Sequence, residues 1–389
     1  MTLSSAAQGR EAAVRPAHTY SRWVRSVLAQ VAGEPRAALL FDSTIREPTQ
    51  LLAQVVRQAF TDPVTDRYES VFSAGNRYVA RRVAARHGVA PEQVIAATGA
   101  TSAMAMAIRA FVRPGDHVVV ETPGFDLLTQ LVQEAGARVS YVARRPPAFG
   151  VDPDELAAAI GPDTRLIILT QLHNPSGAAL DGDSLEALAR VARRARVPIL
   201  VDEVYADFIG PEASALRVAP EFIVAGSLTK VQGLFALRCG WLVAAPEHVA
   251  RIEAANPQGD LGVSKLAHAV AALVLEAPQP FDDHWRSVLA AARPVMARHA
   301  QAMIGEGLLA GDLPPHGCMY FPQVVGVADT LGLAEELWAK HRLVVAPGEY
   351  FGLPGHIRIG FGGEAGELDA GLQRLHAALA SRRSGSAHI

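Results

Sequence analysis

VPILVDEVY, residues 197–205, runs through five apolar positions before it meets Asp202 and Glu203. A strand with one wet face alternates polar and apolar residues. A continuous apolar run is covered on both faces, which is the signature of a mostly parallel sheet with helices on either side. Six further runs have the same character: VIAATGA (94–100), HVVVETP (117–123), ARVSYVA (137–143), RLIILTQL (165–172), FIVAGSL (222–228) and WLVAA (241–245). Helical patterns lie between them, such as DPDELAAAI (152–160), opened by Asp152 as an N-cap, and SLEALARVARRA (184–195). The expected fold is therefore α/β, with a large domain built on a seven-stranded, mostly parallel sheet flanked by helices. After about residue 280 the pattern changes to a long helix (283–304) and then MYFPQVV, RLVVAPG and HIRIGFG, which predicts a smaller α+β domain.

Composition narrows the function. The chain has 389 residues, 50% of them hydrophobic, enough for a large core and a smaller second one. Lys and Arg (36) nearly balance Asp and Glu (39), so no broad basic footprint for nucleic acid or an anionic membrane is expected. Cys239 and Cys318 form no CxxC or Cys/His cluster, and His173 and His316 have no metal-ligand spacing. No metal site and no disulfide framework is expected, and a reducing cytoplasm fits. No apolar run approaches the roughly 18 residues of a membrane span. Residues 1–19 and 382–389 lack apolar periodicity and are expected to be disordered.

In parallel α/β sheets ligands gather beyond the C-terminal ends of the strands. ATGAT (97–101) is a Gly-containing strand-to-helix turn, suited to a phosphate or serving as a plain turn. HNPSG (173–177) offers the Asn174 amide or is a common turn. VDEVY places Asp202 and Tyr205 at a strand end, where a buried acid needs a cation or donors, even if only a structural one. GSLTKVQGLFALRCGW (226–241) sets Lys230 in an apolar, Gly-punctuated segment, with Ser227 before it and Arg238 after it. A lysine that forms a Schiff base needs a carbonyl cofactor, an anion site for its phosphate and a carboxylate opposite its ring nitrogen. Successive strand ends of this chain supply the lysine, the anion site and the carboxylate.

GAT, PGF, HNPSG, VDEVY, SLTKVQGLFALRCGW, APGEYFG and IRIGFG occur in the order and approximate spacing of a known family. From about residue 40 to 378 the chain resembles the fold-type I pyridoxal-phosphate enzymes, specifically the class I/II aminotransferases. The resemblance implies pyridoxal 5'-phosphate as cofactor and Lys230 as its Schiff-base residue and proton shuttle. It implies Asp202 at the pyridine nitrogen, Asn174 and Tyr205 at the phenolic oxygen, and Phe125 on the ring face. Ala100, Thr101, Ser227 and Arg238 would hold the phosphate, joined by Tyr68 from a second subunit, and Arg358 would bind the substrate carboxylate. The implied enzyme is a homodimer with shared sites that moves an amino group from an L-α-amino acid to a 2-oxo acid. Its large domain would be 50–280, and its small domain 20–49 with 281–389. The same scaffold also serves lyases, synthases, decarboxylases and oxidases, so the chemistry after substrate capture stays open.

Two other motif readings are weaker. SLTK satisfies the S-x-x-K of serine β-lactamases, but no SDN or KTG follows. GFGGEAG (360–366) is not G-x-G-x-x-G and no βαβ unit follows it. A non-catalytic sensor of the transcription-regulator kind would need a DNA-binding module ahead of residue 20, where no helix-turn-helix fits. Within FDSTIREPTQ (41–50) the family has a Gly-Glu-Pro-like turn, and here Arg46 replaces the glycine before Glu47 and Pro48. Arg46 is either a surface side chain or one that projects into the substrate pocket, narrowing it or pairing with an anionic substrate group.

Overall fold

The structure is a computed structural model that describes residues 18–70, 75–260 and 262–386. Its centre is a seven-stranded sheet: β1 (Val94–Ala97), β2 (His117–Thr122), β3 (Arg138–Ala143), β4 (Thr164–Thr170), β5 (Ile199–Asp202), β6 (Phe222–Ser227) and β7 (Gly240–Val243). The spatial order is β1-β7-β6-β5-β4-β2-β3. β7 runs antiparallel to both of its neighbours, and every other pairing is parallel. All seven apolar runs thus join one sheet.

The unbroken hydrophobicity of these strands follows from their two covers. Val118, Val120, Leu166, Ile168, Leu200 and Ile223 face a core completed by Met104, Ile108 and Phe111 of the helix Ala100–Phe111. The alternate residues Val119, Ile167, Leu169, Ile199, Val201 and Phe222 face Leu185, Leu188 and Val191 of the helix Gly182–Ala195. Side chains alternate between faces, yet in the central strands β2, β4, β5 and β6 both faces are dry, so no polar residue is admitted until the strand ends, whereas the edge strand β3 carries Ser140 and an exposed Tyr141.

A second core lies toward the C-terminus. The helix Gln279–Gly305 packs against the helix Ala365–Ser386, and the antiparallel strands Met319–Tyr320, Ile357–Gly360 and Ala346–Pro347 lie beneath. The N-terminal segment joins this lobe, because Ala38–Leu39 pairs in parallel with Leu343–Val344 and Leu40 and Ile45 sit in the same core as Leu343 and Ile357. The disorder expected of residues 382–389 is corrected for 382–386, which continue the last helix. Arg382 pairs there with Glu336, and Arg383 donates to the carbonyl of Glu306, which ties the end of the helix down. Residues 1–17 and 387–389 lie outside the described residues.

Candidate active site

The polar residues at the strand ends converge on one cleft. β5 ends at Asp202, abreast of Thr170 on β4 and Ala225 on β6. The Asp202 carboxylate is 7% exposed and accepts the Val204 N–H at 3.1 Å. Burial, opposed by that hydrogen bond and by the charge of Lys230, pushes its carboxyl up to about 6. Among the described residues no cation lies within ion-pair distance of it.

Lys230 follows β6. Its Nζ donates to Thr44 Oγ1 at 3.1 Å and lies 6.0 Å from the centre of the Tyr205 ring. Burial pulls the ammonium down, but neighbouring Tyr205 and Asp42 outweigh it and hold the group above its ordinary range. Tyr205 is buried, with its hydroxyl 2.7 Å from Ser43 Oγ. Phe125 opens the helix Asp126–Glu134 at the end of β2, with its ring edge-on to Tyr20 at 5.9 Å.

An anion cradle lies beside this group. In the sheet Gly240 pairs with both Ala97 and Ser227, which draws the turn after β1 against the end of β6. A Cβ on Gly240 would lie 2.4 Å from the Gly99 carbonyl carbon, and Gly99 itself has φ +84, so both positions require glycine. The next helix then starts at Ala100 and Thr101, with its first N–H groups free. Arg238 donates to the Thr98 carbonyl at 3.2 Å, placing a guanidinium at this helix N-terminus, while Ser227 is buried beside it. Free N–H groups, helix dipole and guanidinium together suit a phosphate. One acid, Asp260, also sits here, accepting from Thr98 N at 2.6 Å and Ser102 Oγ at 2.5 Å.

On the cleft's other wall Arg358 is 2% exposed. It donates to Asn174 Oδ1 at 2.7 Å, to the Tyr20 hydroxyl at 2.5 Å and to the Phe41 carbonyl at 3.0 Å, while its Nε has no partner among the described residues. Among the described residues this buried guanidinium has hydrogen bonds to neutral oxygens and lies over the Tyr20 and Phe351 rings but forms no ion pair, so it is short of a counter-charge that a carboxylate supplies.

The structure therefore brings together Lys230, Asp202, Tyr205, Asn174, Phe125 and Arg358, and beside them Ala100, Thr101, Ser227 and Arg238. Tyr68 stands apart, exposed and edge-on to Phe60 at 6.1 Å. Of the two readings of Arg46, the structure takes the surface one and not the substrate-pocket one: its guanidinium is exposed and pairs with Glu364. Its backbone explains the placement, since its N–H donates to Gly362 at 2.7 Å and its carbonyl accepts from His284 Nε2 at 2.8 Å. Four residues escaped the sequence reading: Tyr20, Ser43, Thr44 and Thr170. Thr170 carried a usable signal, a polar side chain closing an apolar run like Asp202. Ser43 and Thr44 lie in the very segment read for Arg46. Nothing local marks Tyr20.

Pyridoxal phosphate fits this donor set. Among the described residues Asp202 is a buried carboxylate without a paired cation, Gly99 and Gly240 let the strand and turn of the anion cradle approach, Arg358 has no paired carboxylate, and the amine of Lys230 stands with them.

Comparison with known proteins agrees. The profile of the family aminotransferase class I and II matches residues 48–375. The chain is 32% identical to capreomycidine synthase of Streptomyces vinaceus, over 80% of this chain and 81% of that protein. It is 30% identical to arginine–pyruvate transaminase of Pseudomonas aeruginosa, over 74% and 76%. Among solved structures, a Thermus thermophilus aspartate aminotransferase double mutant superimposes with TM-score 0.82 at 23% identity, covering 94% of this chain and 97% of that one. A PLP-dependent aminotransferase from Streptococcus suis does so with TM-score 0.81 at 24% identity, covering 91% and 97%. A seven-stranded sheet, a lysine set against a buried acid and a matching family profile over most of the chain lead to one assignment: this protein belongs to the class I and II aminotransferases, pyridoxal-phosphate-dependent enzymes of fold type I.

Proposed function

We propose that the enzyme takes the amino group of an L-α-amino acid and passes it to a 2-oxo acid, using the side chains gathered in this cleft. The observation that carries this reading is Arg358, a buried guanidinium in the cleft with no carboxylate partner among the described residues. When bound, pyridoxal phosphate supplies a carbonyl that accepts the amino group and a ring that delocalises charge from the substrate α-carbon.

The chain's residues do the rest. Arg358 binds the α-carboxylate and so orients the α-carbon toward Lys230. Lys230 Nζ, steadied by Thr44, would be the base that takes the α-proton and the acid that gives it back. Asp202 holds a proton on the ring nitrogen, which also relieves the cost of its own burial. Asn174 and Tyr205 hold the phenolic oxygen, and Phe125 covers the ring. Ala100, Thr101, Ser227 and Arg238 hold the phosphate. We assign 50–280 to the cofactor-bearing domain and 20–49 with 281–389 to the domain that carries Arg358. We place the enzyme in the cytoplasm as a homodimer in which Tyr68 completes the partner's site. Among the described residues no helix is long and apolar enough to cross a membrane.

The test is a half-reaction. Loaded enzyme mixed with single amino acids and no acceptor is expected to release one equivalent of 2-oxo acid per site, with matching loss of the cofactor's visible absorbance. Lys230→Ala should abolish both. A second reading keeps the cofactor and changes the outcome to elimination or cyclisation, supported by the likeness to a protein named as a synthase. Repeated turnover without any acceptor would establish that reading instead. For the dimer, mixing Tyr68→Ala with Lys230→Ala subunits is expected to restore activity that neither variant has in full, whereas additive residual activities would reject shared sites.

A further inference from the structure

Behind the cleft lies a buried ionic cluster that no step above uses. Glu121, at the end of β2, and Arg144, just past β3, form an ion pair at 2.8 Å with both side chains fully buried. The Arg144 guanidinium also donates to the Phe149 carbonyl at 2.6 Å and the Thr170 carbonyl at 3.1 Å. The free oxygen of Glu121 accepts the Thr170 hydroxyl. That same hydroxyl accepts the backbone N–H of Asn174 at 3.2 Å, and Asn174 Oδ1 accepts from Arg358 at 2.7 Å. Each hydroxyl has one proton to give, and Thr170 spends it on Glu121, so its lone pair faces Asn174.

The loop carrying Asn174 is pinned from its other side by His173. The Pro123 carbonyl, 2.8 Å away, can only accept, so His173 Nε2 bears the ring proton. Nδ1, 2.6 Å from Ser176 Oγ, is then an acceptor, because burial holds the imidazole neutral. Through Pro123 the same contact fixes the turn that leads to Phe125. The HNPSG loop thus rests on buried polar partners along both its edges, where an apolar core would have left its orientation loose.

We propose that Glu121, Arg144 and Thr170 are positioning residues that hold Asn174, and through it Arg358, in the orientation that receives the amino donor's carboxylate; this rests on the aminotransferase reading. The ion pair is worth little as stability, since desolvation consumes most of its attraction. Its effect is geometric: Glu121, held by Arg144, has one oxygen left with which to orient Thr170.

Thr170→Val keeps the shape and removes the hydroxyl, while Thr170→Ser keeps the hydroxyl and removes a methyl. Both are made in the loaded enzyme and measured three ways: half-reaction kinetics with a good donor, affinity for a non-reacting short monocarboxylate read from the cofactor's absorbance, and thermal unfolding. Thr170→Val is expected to weaken carboxylate binding and raise the donor KM by about tenfold, the scale of one lost buried hydrogen bond. Thr170→Ser should restore both to within about twofold, even where its lost methyl lowers the melting temperature. The idea is overturned if the two variants track melting temperature and not the hydroxyl, if Thr170→Val binds carboxylate like the parent, or if the parent binds no carboxylate at all. A parent that binds carboxylate yet does not transaminate would sink the aminotransferase reading and leave the Thr170 comparison intact.

Discussion

At the scale of single residues, the site is defined by charges that the fold leaves unbalanced. Asp202 has an ordinary pKa of 3.8 and a folded value of about 6, so the folded state favours its protonated form. Without cofactor, stability therefore falls as pH rises from about 4 to about 6, and the cost, roughly 3 kcal/mol, stays in place at neutral pH. Asp202→Asn should melt higher than wild type in cofactor-free protein at pH 7.5, with the gap closing toward pH 4. Calorimetry of the two proteins at a series of pH values checks this, and a gap independent of pH would contradict it. The same variant should fail with the loaded enzyme, because Asn cannot hold the ring nitrogen protonated. Arg358→Lys tests the opposite charge. Lysine carries the charge but not the planar fork, and it leaves Asn174, Tyr20 and the Phe41 carbonyl without their donor. The donor KM is expected to rise about 10- to 100-fold with a smaller change in kcat; equal kinetics would remove Arg358 from the carboxylate site.

Elements decide where those residues meet. The proposed phosphate cradle depends on β7 passing directly under the turn between β1 and the helix Ala100–Phe111, and Gly240 is the point of closest approach. Gly240→Ala would put a methyl into the backbone of Gly99 and Ala100. It is expected to cost roughly 1–3 kcal/mol of stability and to release cofactor more readily, measured as cofactor retained after dialysis beside the melting temperature. Full retention would show that the cradle tolerates displacement. The central strands were legible because residues such as Val118 and Val119, or Ile167 and Ile168, face two different dry cores, so those runs had no polar breaks. Their ends were legible for the converse reason, since Asp202 and Ser227 break apolar runs where the chain leaves the sheet. Tyr20 was not legible. It reaches Arg358 from a helix 338 positions earlier in the chain, and no local pattern encodes such a contact.

For the whole molecule, the two cysteines report on two separate hydrophobic cores. Cys239 lies in the core formed with Trp241 and Phe281, and Cys318 in that shared by Met296, Ile357 and Leu372. Burial pushes both thiols up to about 12, so neither is a thiolate near neutral pH. An alkylating reagent at pH 8 is expected to leave native protein unmodified and to label both sites in denaturant; stoichiometric labelling of native protein at Cys318 would show that the C-terminal lobe opens by itself. What the sequence by itself determined was the material: which runs are buried and which polar residues close them, and hence the sheet, while the motifs those residues form carried the resemblance to the family. Periodicity and residue type act over a few positions, and these features are local. Only the tertiary structure decided which partners each polar group has. It sent Arg46 outward to Glu364, brought Tyr20 and Phe41 onto Arg358, and linked Thr170 to Glu121 across neighbouring strands, because such pairings depend on the close approach of segments far apart in the chain.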